Sequence, residues 1–133
     1  MQQVEDYSVS TVDVTKETFN ETIVENDTVL IDFWADWCPP CKQFAPTFAA
    51  ASEEHPDITF AKVDTEDQME LAQAFDIRSI PTLMAVRDNV VVYSQPGAIP
   101  KDALDDLISQ LKALDMDEVH AQIATEQDGA PEE

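Results

Sequence analysis

Glycine is almost missing from this chain: Gly97 and Gly129 are the only two in 133 residues. A phosphate-cradling loop, a dinucleotide fingerprint and a Gly-x-Ser-x-Gly nucleophile elbow all need glycines at short fixed spacing, so none of them is present. Histidine is equally scarce, and His55 and His120 lie too far apart for a His-Glu-x-x-His metal helix. Basic residues are few. Seven Lys and Arg stand against 28 Asp and Glu, a formal net charge of −21. That balance lacks the clustered cations of a nucleic-acid surface and is repelled by an anionic membrane. No apolar run approaches the roughly 18 residues of a membrane span. The start, Met1-Gln2-Gln3-Val4-Glu5-Asp6, has neither the basic nor the apolar region of a secretory signal. The expectation is a cytoplasmic protein with no nucleic-acid and no membrane partner. Hydrophobic residues still make up 44% of the 133, the share of one folded domain and too little chain for two.

Composition shifts only at the ends. Residues 1–8 are polar and read as a flexible segment, and 115–133 as an acidic extension. In that extension Met116, Val119 and Ile123 are spaced for a short helix, followed by a solvated stretch from Glu126 to Glu133. The domain is expected over 9–114. Ser10 to Val14 alternates weakly, as a short strand does. Thr15 can cap a helix with Phe19 and Ile23 on one face, ended by Asn26-Asp27. Val29-Leu30-Ile31-Asp32-Phe33-Trp34 is nearly all β-branched or aromatic, the pattern of a strand buried on both faces. Pro39-Pro40 opens a helix to about Glu54, with Cys41, Phe44, Ala45 and Phe48 on one face and a kink expected at Pro46. A strand from Ile58 to Asp64 and a helix from Thr65 to Phe75 follow. Two strands, Thr82 to Arg87 and Val90 to Gln95, then meet at Asp88-Asn89, a hairpin signal. Pro100 opens a last helix striped by Leu104, Leu107, Ile108, Leu111 and Leu114. The order βαβαβαββα predicts an α/β fold: a mixed five-stranded sheet, parallel units plus an antiparallel hairpin, with helices on both faces.

Both cysteines fall in one motif, Trp37-Cys38-Pro39-Pro40-Cys41-Lys42, directly after the buried strand and at a helix start. Free amides and partial positive charge there favour thiolate over thiol. Cys38, at the very start, is expected to be the more exposed and acidic sulfur, and Cys41, one turn in, the more shielded. Cys38 would attack a disulfide and Cys41 resolve the mixed disulfide. Three plainer readings compete. A structural staple across four residues removes little unfolded-chain entropy. Zinc needs two further ligands, which His55 and His120 do not supply at finger spacing, so no metal is expected. Two inert buried thiols fit poorly with a helix start.

The stretch Val29 to Lys42 closely resembles the thioredoxin family. So do Phe44-Ala45-Pro46, Ala61-Lys62-Val63-Asp64, Ile77-Arg78-Ser79-Ile80-Pro81-Thr82 and Gly97-Ala98, in the same order from about Val9 to Leu114. The resemblance implies a thioredoxin fold and a monomeric protein-disulfide reductase. It binds no cofactor, acts on disulfide-containing proteins, and is re-reduced by a thioredoxin reductase that uses NADPH. Cys38 and Cys41 match the redox disulfide. Asp32 matches a buried carboxylate that assists proton removal from Cys41, and an Asp among apolar strand residues is expected to have a raised pKa; the plainer reading is a carboxylate satisfied by a hydroxyl or amide. Lys62 matches a lysine near that Asp, or is a snorkelling side chain. Pro81 matches a proline with a cis preceding bond facing the cysteines, Ile80 the backbone that pairs with an extended substrate, and Trp37, Gly97 and Ala98 the border of the contact surface. Trp37 as a cover for the helix start and Gly97 as a simple turn remain alternatives. Within the chemistry the alternative is an oxidant or isomerase, and outside it a redox-inert binding module. The chain departs from the family in having Pro39-Pro40 for the usual Gly-Pro, Asp88-Asn89 at the hairpin, and its acidic excess.

Overall fold

A computed structural model describes residues 10–129, with side chains to Ala124. In chain order the elements are β1 (Thr11–Asp13), α1 (Lys16–Val24), β2 (Thr28–Trp34), α2 (Pro39–Glu54), β3 (Thr59–Asp64), α3 (Met69–Ala74), β4 (Thr82–Arg87), β5 (Val90–Pro96), α4 (Lys101–Ala113) and α5 (Met116–Gly129). The sheet order is β1-β3-β2-β4-β5. β1, β3 and β2 are parallel, whereas β4 runs antiparallel to β2 as well as to β5. The antiparallel part of the sheet therefore begins at its centre, not only at the hairpin edge.

β2 is buried at every position from Thr28 to Phe33 because it is central and covered on both faces. Side chains alternate between faces with period two. Val29, Ile31 and Phe33 join Val14, Ala61, Val63 and Leu71, with Phe19 and Ile23 of α1 packed against them. Leu30 joins the opposite cluster, which holds Phe44, Phe48 and Ala51 of α2 and Leu104, Ile108 and Leu111 of α4. Phe48 sits at its middle, 5.8 Å from the ring of Phe44 and 5.2 Å, edge to face, from that of Phe60.

Local chemistry sets the boundaries. The Thr15 backbone N–H donates to Thr18 Oγ1 at 3.0 Å, which opens α1. α2 runs unbroken through Pro46 to Glu54. Asp88 and Asn89 adopt φ of 51° and 69°, the left-handed pair of a tight hairpin, which Asn and Asp tolerate. The helix expected from Thr65 starts only at Met69. The Asp64 carboxylate accepts the Glu66 N–H at 2.9 Å and Thr65 N–H turns back to the Trp34 carbonyl at 2.8 Å, so these residues form a turn first. At the C-terminal side, the short helix expected around Met116 is longer than anticipated and extends to Gly129. The expectation of a flexible segment over 1–8, and of a solvated stretch over its last residues, 130–133, lies outside the described residues.

Candidate active site

The C-terminal ends of β2 and β3 meet the start of β4 at one end of the sheet: Trp34 pairs with Asp64, and Phe33 with Thr82. Four residues beyond Trp34, Cys38 caps α2, with Pro39 and Pro40 as its first two helical residues. Neither proline has an N–H, so the first amide the helix offers is that of Cys41. It donates to Cys38 Sγ at 3.2 Å. Cys38 and Cys41 form a disulfide with Cα atoms 5.2 Å apart.

The expected contrast in exposure is not observed. Cys38 and Cys41 are each 2% exposed. Ala35 packs with the pair, and Trp34 and Ile80 lie against it from the strand end and from the loop before β4. That long-range cover outweighs the exposure a helix start has on its own. Trp37 is 64% exposed, so it does not seal the helix start as a simple cover.

The loop from Ile80 completes the surface. The Ile80–Pro81 peptide is cis, and the Ile80 carbonyl oxygen lies 3.8 Å from Cys38 Sγ. Pro81 O accepts the Gly97 N–H at 2.8 Å. Gly97 has φ of 107°, a conformation other residues rarely adopt and glycine supplies in turns. Ala98 follows it, exposed. The structure thus brings Trp37, Ile80, Pro81, Gly97 and Ala98 into the segments that border the cysteine pair.

Asp32 has the parity of Leu30 and so faces the α2 side of the sheet, nearer the cysteine end. It is fully buried. Neither carboxylate oxygen has a hydrogen-bond partner among the described residues, so the satisfied-carboxylate reading does not hold. Burial in apolar surroundings pushes its pKa up to about 7, with Lys62 pulling the other way. Lys62 is opposite Asp32 in the β2–β3 register. Its ammonium is 4.9 Å from the centre of the Trp34 ring, a cation–π placement that holds the charge at the site end. Trp34, which the sequence presents only as strand, is therefore part of the site; its alternation with Asp32 is the signal that could have found it. The indole Nε1 is buried with no partner among the described residues.

Among the described residues, the group whose ligand atoms approach within 4.8 Å is Glu54, His55 and Asp105. It lies at the far end of α2, away from the cysteines. The Lys101 ammonium already sits there, 2.6 Å from Glu54 and 3.0 Å from Asp105.

Such a site can exchange disulfides: it has two bonded sulfurs at a helix start, a helix amide directed at one of them, and a buried carboxyl whose pKa is raised to about 7. The chain is also similar to known proteins. The thioredoxin family model matches residues 10–110. The chain is 59% identical to the "Putative thioredoxin 2" of Streptomyces coelicolor over 118 residues, 89% of this chain and 88% of that protein. It is 38% identical to a thioredoxin of Porphyra purpurea over 104 residues, 77% of this chain and 97% of that one. Among solved structures, a mutant thioredoxin from Halobacterium salinarum NRC-1 superposes with a TM-score of 0.73 at 34% identity, over 80% of this chain and 95% of that chain. Sequence, sheet and helix-start disulfide agree, and the chain belongs to the thioredoxin family, a protein-disulfide reductase that works through its own Cys38–Cys41 pair.

Proposed function

We propose that Cys38 is the attacking and Cys41 the resolving sulfur, that Asp32 with Lys62 manages the Cys41 proton, and that Trp37, Ile80, Pro81, Gly97 and Ala98 bear the substrate. The observation that supports the assignment is the direction of one hydrogen bond: the Cys41 amide donates to Cys38 Sγ, not the reverse. A charged acceptor gains more from that donor than a neutral one, so Cys38 is the sulfur favoured as thiolate.

The reduced pair then acts in two displacements. The Cys38 thiolate attacks one sulfur of a substrate disulfide; that S–S bond breaks, a Cys38–substrate bond forms, and the other substrate sulfur leaves as thiolate. Cys41 gives its proton to the Asp32 carboxylate and attacks Cys38 Sγ, releasing the second substrate thiolate and closing the Cys38–Cys41 disulfide. A carboxyl with pKa about 7 is matched to taking and returning that proton at neutral pH. The exposed Trp37 ring and the Ile80 backbone present an apolar, strand-like surface on which an extended substrate segment lies. Two electrons return from NADPH through a thioredoxin reductase, with no nucleotide held by this chain, in the cytoplasm and with the chain acting as a monomer.

Cys41→Ser blocks resolution and accumulates mixed disulfides at Cys38, read by mass spectrometry of peptides after thiol blocking. Substrate adducts forming as readily on Cys41 in Cys38→Ser would overturn the roles. The Cys38→Ser/Cys41→Ser double variant loses turnover with a reductase; retention of the protein's biological effect by that variant would favour a binding module.

A further inference from the structure

The apolar residues of β5, α4 and α5 do not close on one another. A groove of about 380 Å³ runs between them, lined chiefly by Val90, Val91, Val92, Leu107, Val119 and Ile123. β5 is an edge strand of the sheet, and its Val91 is 47% exposed. Val119 and Ile123 are only half-buried although α5 lays them over the same groove. Apolar surface left open in this way, bounded by polar groups, marks a place of association.

The free charges at the boundary are acidic. Gln110, itself in the groove wall, donates through Nε2 to the Asp106 carboxylate at 2.8 Å. Asp115 accepts the Glu118 N–H at 3.2 Å and so fixes the first turn of α5, and Asp115, Asp117 and Glu118 are all exposed. The cations nearby are engaged: Arg87 donates to the Leu111 carbonyl at the end of α4, and Lys112 pairs with Asp57 at 3.1 Å. An acidic rim on a chain of net charge −21 repels a second copy and attracts a cationic partner.

The groove is also far from the cysteines. Val90 pairs with Arg87, and Arg87 with Thr28 at the start of β2, whereas Cys38 follows Trp34 at its end. The length of β2 separates the two by roughly 20 Å.

We propose that the β5–α4–α5 groove docks a basic segment with one apolar face from a partner protein, at the end of the molecule remote from the redox disulfide. Apolar side chains of the partner enter between Val91 and Ile123, and its Lys or Arg side chains meet Asp106, Asp115 and Glu118. Docking leaves Cys38 free and does not depend on whether the pair is oxidised, so the partner stays held through a redox cycle.

The test titrates the full chain, oxidised and reduced, with a synthetic amphipathic Leu/Lys helix. Controls are a scrambled peptide of the same composition and a Leu/Glu version. The expected result is saturable one-to-one binding equal in both redox states, with methyl NMR shifts at Val90, Val91, Val119 and Ile123. Affinity falls at least about tenfold in Val91→Glu/Ile123→Gln and for the scrambled peptide, while reduction of a small-molecule disulfide is unchanged. The isosteric Val91→Thr keeps the test available if the double variant unfolds, and it too weakens binding. Equal affinity of the scrambled peptide, or of the groove variants, overturns the proposal by reducing it to bulk charge attraction. A dimer in sedimentation that the groove variants convert to monomer overturns it in favour of a second copy.

Discussion

Replacing Asp32 by Asn tests the buried carboxyl directly, because its effect on stability has a definite dependence on pH. The folded-state pKa is about 7, against an ordinary value of 3.8. Below pH 4 the group is protonated in both states and contributes nothing. Between about 4 and 7 the unfolded chain ionises while the folded one holds its proton, so the unfolded state binds fewer protons and stability falls as pH rises. Above 7 both are ionised and the loss is complete. At about 1.4 kcal/mol per pH unit of pKa difference, the full effect is on the order of 4 kcal/mol. No solvent discount applies, since Asp32 is 0% exposed. Asp32→Asn removes the penalty, so the variant is the more stable protein at neutral pH. For a chain of this size that is a Tm gain of roughly 10–20 °C. Chemical denaturation of both oxidised proteins from pH 4 to 8 measures it, and taking the difference cancels every other titrating group. A gain that starts small near pH 4, grows to pH 7 and then levels is expected. A difference constant across the range would refute the argument, because it would place the effect in packing and not in ionisation.

Other consequences are smaller or more local. Phe48→Ala removes a fully buried ring between Phe44 and Phe60 and costs about 3–5 kcal/mol in the same unfolding assay; a cost near zero would mean that the α2 cluster is not the core it is drawn as. The −21 charge opposes compaction and is screened by ions, so Tm rises from low to physiological sodium chloride, and a flat response removes that contribution. In Pro39→Gly an N–H returns at the first helical position, which does not serve a capping side chain as the second and third do; the freed ring alone remains, worth about 0.4–1 kcal/mol. At about 30 mV per 1.4 kcal/mol, the wild type is more reducing than the variant by roughly 10–20 mV when both equilibrate in one glutathione buffer, and the opposite order defeats the reasoning.

Features carried by neighbours in the chain are legible in the sequence. The run Val29 to Trp34 announces a two-faced central strand, and Asp88-Asn89 the left-handed hairpin, because each depends on local side-chain pattern or backbone tolerance. The position of Cys38 before two prolines likewise specifies a helix start. Burial made by distant contacts does not show. Cys38 reads as exposed because nothing in Ala35 to Lys42 reveals that Ile80 will lie on it. The helix expected from Thr65 yields to a turn held by Asp64 and Trp34, whose pairing is made only when β2 and β3 align. The cation–π contact of Lys62 with Trp34 is hidden for the same reason: two positions on adjacent strands become neighbours through register alone.

The alternation of β2 also explains how the fold tolerates a buried carboxyl that has no hydrogen-bond partner among the described residues. Ile31 and Phe33, on either side of Asp32, point to the opposite face and pack in the cluster with Val63 and Met84. Leu30 stays in the α2 cluster with Phe44 and Phe60. An ionisable group inserted at one position of a central strand thus disturbs neither neighbour, because adjacent side chains do not share a face. Several kcal/mol of desolvation is a large fraction of a domain's net stability, and here it is confined to a single side chain at the end of the sheet that carries the disulfide. A helix brings more neighbours of its own segment onto the same face than the two, Leu30 and Trp34, that Asp32 has in β2. Its neighbours at three and four residues share one face, so the same carboxyl would lie against the packing residues on either side of it. The proton acceptor and the undisturbed core coexist because β2 is buried on both faces and its side chains alternate between them.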